Sequence, residues 1–132
     1  MIRKKTTYLV LFLFAFVISS CAKINENKVR IIFVNKTGFD LNALKVKNKY
    51  IGKLKKEDRT HFVAFDKYLF DSGYPIEDFS AKMEGNHCEN YPYMSFCATE
   101  YYEKTDGDFE MEIHKYEAQG KTYLRLIVSK VY

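Results

Sequence analysis

From Phe109 onward, apolar and polar residues alternate one for one: Phe109, Met111 and Ile113 against Glu110, Glu112 and His114. Successive side chains of a strand point to opposite faces, so this period of two predicts a strand with one dry and one wet face. Ala118-Gln119-Gly120 then turns the chain into Lys121 to Val131, where Leu124, Leu126 and Val128 share a side. Ile127 on the other side implies that part of the wet face is also covered.

The remaining segments carry the same kind of signal. Lys28 to Asn35 is β-branched and aromatic on both faces, as a strand in the middle of a structure would be. Lys36-Thr37-Gly38 supplies a turn, and Leu41 to Val46 resumes an extended pattern after a one-step change of phase that hints at a bulge. His61 to Phe70 is a further aromatic-rich run, closed by Asp71-Ser72-Gly73 and Pro75. Asp78 to Glu84 has the length of a short edge strand ended by Gly85-Asn86, and Tyr93 to Lys104 reads as extended, with a hairpin turn over Thr105 to Asp108. No segment holds a period of 3.6 with caps for a helix. About seven short strands with frequent turns predict an all-β chain, an antiparallel β-sandwich of Ig-like architecture, with a small β-barrel as the alternative.

The first twenty-one residues are of a different kind. Arg3, Lys4 and Lys5 precede an apolar run from Leu9 to Ile18, and Ser19-Ser20 lead to Cys21. A cationic start, a short apolar stretch and small residues are the parts of a secretory leader. The stretch is too short for the roughly 20 apolar residues that cross a bilayer as a helix. Ser20-Cys21-Ala22 also fits ordinary signal cleavage after Ala22, but the cysteine directly after the small residues resembles the lipobox of bacterial lipoproteins. That resemblance implies a signal peptide over residues 1–20, a lipidated tether over 21–27 with Cys21 acylated on its sulfur and its new amine, and a domain over 28–132.

Removing the leader changes the meaning of the charge. The chain has 21 basic and 17 acidic residues, but three of the basic ones lie in the leader and none of the acidic ones do. Eighteen against seventeen remain, a net charge of +1, so the basicity gives no support to a nucleic-acid partner. Beyond Cys21 only Cys88 and Cys97 remain, an even pair in a chain bound for an oxidising space. A disulfide between them is expected, stabilising by roughly 2 to 3 kcal/mol on the chain-entropy argument. His87-Cys88 with Cys97 lacks the paired spacing and ligand number of a zinc site, so no metal is expected.

The segment Phe33 to Leu41, with Leu44, Val46 and Tyr50-Ile51-Gly52, resembles the opening of small uncharacterised bacterial lipoproteins with β-sandwich domains. The likeness runs loosely through Asp71-Ser72-Gly73 and the strand around Cys97 to the final hairpin. Its residues are those of turns and core, so it implies a shared fold and supplies no catalytic residues. Separately, Tyr101-Tyr102-Glu103-Lys104-Thr105-Asp106-Gly107 is similar to the Y-x-x-x-T-K-G motif of membrane-bound lysozyme inhibitors. Asp106 stands where that family has lysine, and Ser72-Gly73 is followed directly by Tyr74, so the companion S-G-x-x-Y is not met.

Candidate chemistry is sparse. His61, His87 and His114 are scattered, with no spacing that brings one beside a nucleophile and an acid. Asp106, Asp108 and Glu110 lack the ordered series of a calcium loop, and Asn35-Lys36-Thr37 reads as a turn after a strand. Neither catalysis nor a cofactor is expected. Charge and aromatics give the best binding signals: Lys45, Lys47 and Lys49 crowd one stretch, and Tyr91-Pro92-Tyr93 can display rings. The expectation is a non-enzymatic binding or scaffolding module, lipid-anchored to the outer membrane and facing the periplasm. Its partners would be the membrane, through the lipid, and an envelope protein or glycan. The alternative is an inhibitor or immunity protein against a secreted enzyme such as lysozyme.

Overall fold

A computed structural model describes residues 27–92 and 100–132. The expected signal peptide, Cys21, Tyr93 and Cys97 lie outside the described residues, and so does most of the extended segment expected from Tyr93 onward. The regular elements of the described residues are all strands: β1 (Val29–Asn35), β2 (Leu41–Val46), β3 (Lys49–Leu54), β4 (Val63–Phe65), β5 (Tyr68–Asp71), β6 (Tyr74–Pro75), β7 (Phe79–Met83), β8 (Asn86–Glu89), β9 (Tyr101–Lys104), β10 (Gly107–Ala118) and β11 (Lys121–Val131). Among the described residues no helix is long and apolar enough to cross a membrane.

Two four-stranded sheets, ordered β11-β10-β1-β4 and β3-β2-β7-β8, enclose one apolar core, and a three-stranded sheet, β6-β5-β9, accompanies them. The barrel is not closed. A parallel bridge between Asn90 and Leu124 joins the two larger sheets at the β8 and β11 edges. The arrangement is the expected β-sandwich, with eleven strands among the described residues, several of them very short, in place of about seven.

β1 takes the interior place that its two apolar faces predict. It pairs antiparallel with β4 and parallel with β10, in register from Val29 opposite Gly107 to Asn35 opposite Ile113. Val29, Ile31 and Phe33 enter the core, while Ile32, on the other face, is 8% exposed under its neighbours. The alternation in β10 buries Phe109, Met111 and Ile113, and Leu124 and Leu126 of β11 join them. Ala118 pairs with Lys121 across Gln119 and Gly120, both at positive φ, which makes the tight turn of the β10–β11 hairpin.

The expected bulge is present in β2, whose pairing slips between Leu41 and Lys45 against β3 and between Asn42 and Lys45 against β7, with Ala43 at φ 49°. Three expectations are corrected. The run from His61 to Phe70 is two strands, β4 and β5, broken at Asp66-Lys67. β7 is no edge strand, since it lies between β2 and β8. Thr105 to Asp108 does not close a hairpin, because β9 pairs with β5 while β10 pairs with β1 and β11. The turn there carries the chain from one sheet to another.

One end of the sandwich is filled by rings. Phe65 meets Phe33 edge-on at 6.4 Å and Tyr68 at 5.3 Å, Phe70 lies 5.5 Å from Tyr68 and from Phe109, and Tyr102 stacks on Phe70 at 5.6 Å. Such pairs add about 0.5 to 1.5 kcal/mol each beyond their burial. This is the end at which β1 begins.

Candidate binding groove

The outer face of the β3-β2-β7-β8 sheet is polar because β2, β7 and β8 each alternate. Leu44, Val46, Phe79, Ala81, Met83 and Cys88 point into the core, which leaves Lys45, Ser80, Lys82, His87 and Glu89 to the other side. Register aligns them in rows: Tyr50, Lys45, Ser80 and Glu89 form one, and Asn42, Lys82 and His87 the next. Between these rows and the loop after β8 lies an open groove of about 440 Å³, lined by Lys45, Lys47, Asp78, Ser80, His87 and Asn90 among others.

The two groove lysines differ in what holds them. The Lys47 ammonium donates to Glu77 Oε1 at 2.9 Å and to the Lys67 carbonyl at 3.0 Å, so it is committed within the fold. Lys45 is in no ion pair among the described residues. His87 Nε2 stands 3.7 Å from Glu89 Oε1, beyond hydrogen-bond reach. The groove therefore presents one uncommitted cation beside a hydroxyl, an imidazole and an amide, together with the carboxylates of Asp78 and Glu89.

An aromatic cluster adjoins it. Asn90 lines the groove, its N–H donating to the Phe79 carbonyl, and the next residue, Tyr91, donates its N–H to the Leu124 carbonyl at 2.8 Å. The Tyr91 ring meets Tyr116 edge-on at 4.6 Å and Tyr123 at 5.3 Å. Tyr116 and Tyr123 are opposite each other across the β10–β11 hairpin, and Lys121 lies over the Tyr123 ring. Tyr91 and Tyr116 remain 36% and 38% exposed, so ring surface is left for a partner.

Of the residues expected to form a patch, Lys45 and Lys47 share the groove and Tyr91 borders it through Asn90. Lys49 is elsewhere, its ammonium 5.4 Å over the Phe65 ring at the end where β1 begins. Sequence reasoning missed Ser80, His87, Asn90, Tyr116 and Tyr123. The tyrosine pair was within reach: a two-residue turn at Gln119-Gly120 sets Ala118 opposite Lys121 and, two steps on, Tyr116 opposite Tyr123.

No disulfide forms among the described residues. Cys88 is a buried free thiol, its Sγ 3.7 Å from the Asn86 carbonyl, and Cys97, its expected partner, is outside them. Burial pushes the Cys88 thiol above its ordinary value, against the smaller opposing effects of a backbone hydrogen bond and Lys115. Among the described residues no three His, Cys, Asp or Glu are grouped to hold a metal ion. The histidines stay apart: His61 in the segment before β4, His87 on β8 and His114 on β10, the last 2.8 Å from Glu112. Of the acidic residues of β10, Asp108 pairs with Arg30 of β1 and Glu110 with Arg59.

Compared with known proteins, the chain matches no family model, no curated protein and no solved structure.

Proposed function

We propose that the protein is a non-enzymatic binding module of the bacterial envelope, held at a membrane by lipid on Cys21, whose groove takes an extended envelope glycan. One observation carries the ligand class: Lys45, Ser80, His87, Asn90 and the carboxylates of Asp78 and Glu89 line one groove, and Asn90 leads directly into the exposed Tyr91 and Tyr116 and the half-buried Tyr123. Donors and acceptors set side by side suit sugar hydroxyls, and tyrosine rings offer flat apolar faces for sugar rings while keeping a polar edge. The leader supports the address, and several acyl chains hold a domain at a membrane where a single chain would be marginal.

Titration with an oligosaccharide of N-acetylhexosamines as the probe tests the binding. Lys45→Ala is expected to weaken it by about tenfold, the effect of losing one charge-assisted contact. Tyr91→Ala should weaken it by a similar factor. Binding that ignores both substitutions overturns the reading. The anchor is tested apart from the groove, by fatty-acid labelling of the wild type and of Cys21→Ser, with label expected only in the former.

A further inference from the structure

We infer that the end of the sandwich where β1 begins is a docking collar that rests on an anionic lipid surface, with Lys49, Lys104 and Lys130 as its contacts. Several chain segments converge there. Val29 is opposite both Gly107 and Phe65, the Tyr132 N–H donates to the Asp108 carbonyl, and Lys47 donates to the Lys67 carbonyl. These contacts bring the β2–β3 turn, the Asp66-Lys67 turn, the start of β10 and the chain's last residues to one end.

The cations of this end fall into two groups. Lys28, Arg30, Lys47 and Lys67 are paired with Asp66, Asp108, Glu77 and Glu103. Lys49, Lys104 and Lys130 make no ion pair among the described residues, and each lies over an aromatic ring: Phe65 at 5.4 Å, Tyr102 at 5.8 Å and Tyr132 at 4.3 Å. Tyr132 is 55% exposed and Tyr102 38%. Three uncommitted lysines against the carboxylates of Asp78, beside the β2–β3 turn, and Asp106 leave this end slightly positive, although the domain as a whole is close to neutral. Lysine beside an exposed tyrosine is the pairing suited to a headgroup layer, where the ring sits at the polar boundary and the ammonium meets phosphate.

The tether selects the occupant. From Cys21 to Lys28 the chain reaches at most about 25 Å when fully extended. A domain held that closely by lipid on Cys21, the reading this inference rests on, has its β1 end within reach of the headgroups. Each lysine near such a surface is worth about fivefold in partition, and screening confines the effect to about 10 Å.

The chain contains no tryptophan, so a single introduced indole reports its own surroundings. The mature chain, from residue 21 onward, carrying Cys21→Ser and Tyr132→Trp, is mixed with vesicles of phosphatidylcholine, with and without phosphatidylglycerol. Its emission is expected to shift to the blue only with the anionic lipid, whereas Tyr123→Trp, at the far end, stays unchanged. Sedimentation with the same vesicles should lose at least about tenfold in partition when Lys49, Lys104 and Lys130 are all changed to glutamine. The same change at Lys55, Lys56 and Lys121, on the opposite end, should cost less than about twofold. Equal losses in the two triple variants, equal shifts at the two indoles or no dependence on anionic lipid overturn the collar. None of these readouts uses the lipid on Cys21, so its absence from labelled cells would fail the anchor and leave the collar's own result standing.

Discussion

The side-chain amide of Asn35 donates to the Leu54 carbonyl at 3.0 Å, tying the last residue of β1 to the last residue of β3 in the facing sheet. The same nitrogen reaches the carbonyls of Phe39 at 2.7 Å and Lys55 at 3.2 Å, while Asn35 Oδ1 accepts from the Thr37 N–H and hydroxyl. Asn35 is fully buried, so none of these groups has water as a substitute.

Removing that amide should be costly. Asn35→Ala leaves several buried backbone groups without a partner and is expected to destabilise by about 2 to 4 kcal/mol in urea unfolding. Asn35→Asp sets a carboxylate against three carbonyl oxygens, which disfavours its charged form and raises its folded pKa. Protonation then helps the folded state, so the deficit of this variant should shrink as pH falls through the carboxylate range. A deficit that grows in acid would contradict this placement of the amide.

Tyr68 is expected to behave in the opposite way. Its ring is fully buried among Phe65 and Phe70, but its hydroxyl has no hydrogen-bond partner among the described residues. Burial first, and then the nearby charge of Glu77, push the phenol above its ordinary value. Deleting an unpartnered hydroxyl removes a desolvation cost and no bond, so Tyr68→Phe should leave stability unchanged or raise it by about 1 kcal/mol. A loss beyond about 1 kcal/mol in chemical unfolding would mean that the hydroxyl is satisfied.

The same elements show what could be read from the chain and what could not. β10 and β11 were legible because their inner faces are apolar at period two, and β1 because residues on both its faces had to be covered. The neighbours of β1 were not legible. Its partner β10 lies some seventy residues away and runs parallel, and nothing in either pattern encodes that pairing. The break inside His61 to Phe70 was hidden because both halves are aromatic, and only Asp66-Lys67 marks the turn. The groove was half visible. Lys45 and Lys47 stand out by charge, but Ser80 and His87 join them through the pairing of β2, β7 and β8, which is tertiary information.

Acid should act on specific carboxylates. The Arg30 side chain, chiefly by its hydrogen bond and less by its charge, holds Asp108 below its ordinary value of 3.8 against the opposing effect of burial. The Lys56 N–H does the same for Asp40, and the Lys36 side chain for Glu57. A carboxylate depressed in the folded state contributes stability that is complete above its unfolded pKa and lost as pH falls through its folded one. Melting temperature should therefore decline below about pH 4. The advantage of the wild type over Asp108→Asn should narrow in that window. These groups are near the surface, so added salt should reduce the effect. An advantage that stays constant down to pH 2 would show that Asp108 acts through packing and not through charge.

Gly107 bears on how the parallel pair begins. It stands opposite Val29 at the first register position of β1 and β10, with φ at 106°, a conformation that side chains rarely adopt. A Cβ there would approach the Phe109 ring to 3.1 Å, and that ring is buried 5.5 Å from Phe70. Gly107→Ala thus meets backbone strain and a ring that its aromatic neighbours hold in place, and it should destabilise by about 2 to 3 kcal/mol. Gly120 also has positive φ, but a Cβ there would meet open space, so Gly120→Ala should cost about 1 kcal/mol from the backbone alone. Urea unfolding of both variants separates the contributions. Equal losses would mean that Phe109 yields freely and that the start of β10 is softer than its packing implies, whereas a clear excess at Gly107 places the ring contact among the interactions that fix where β10 begins.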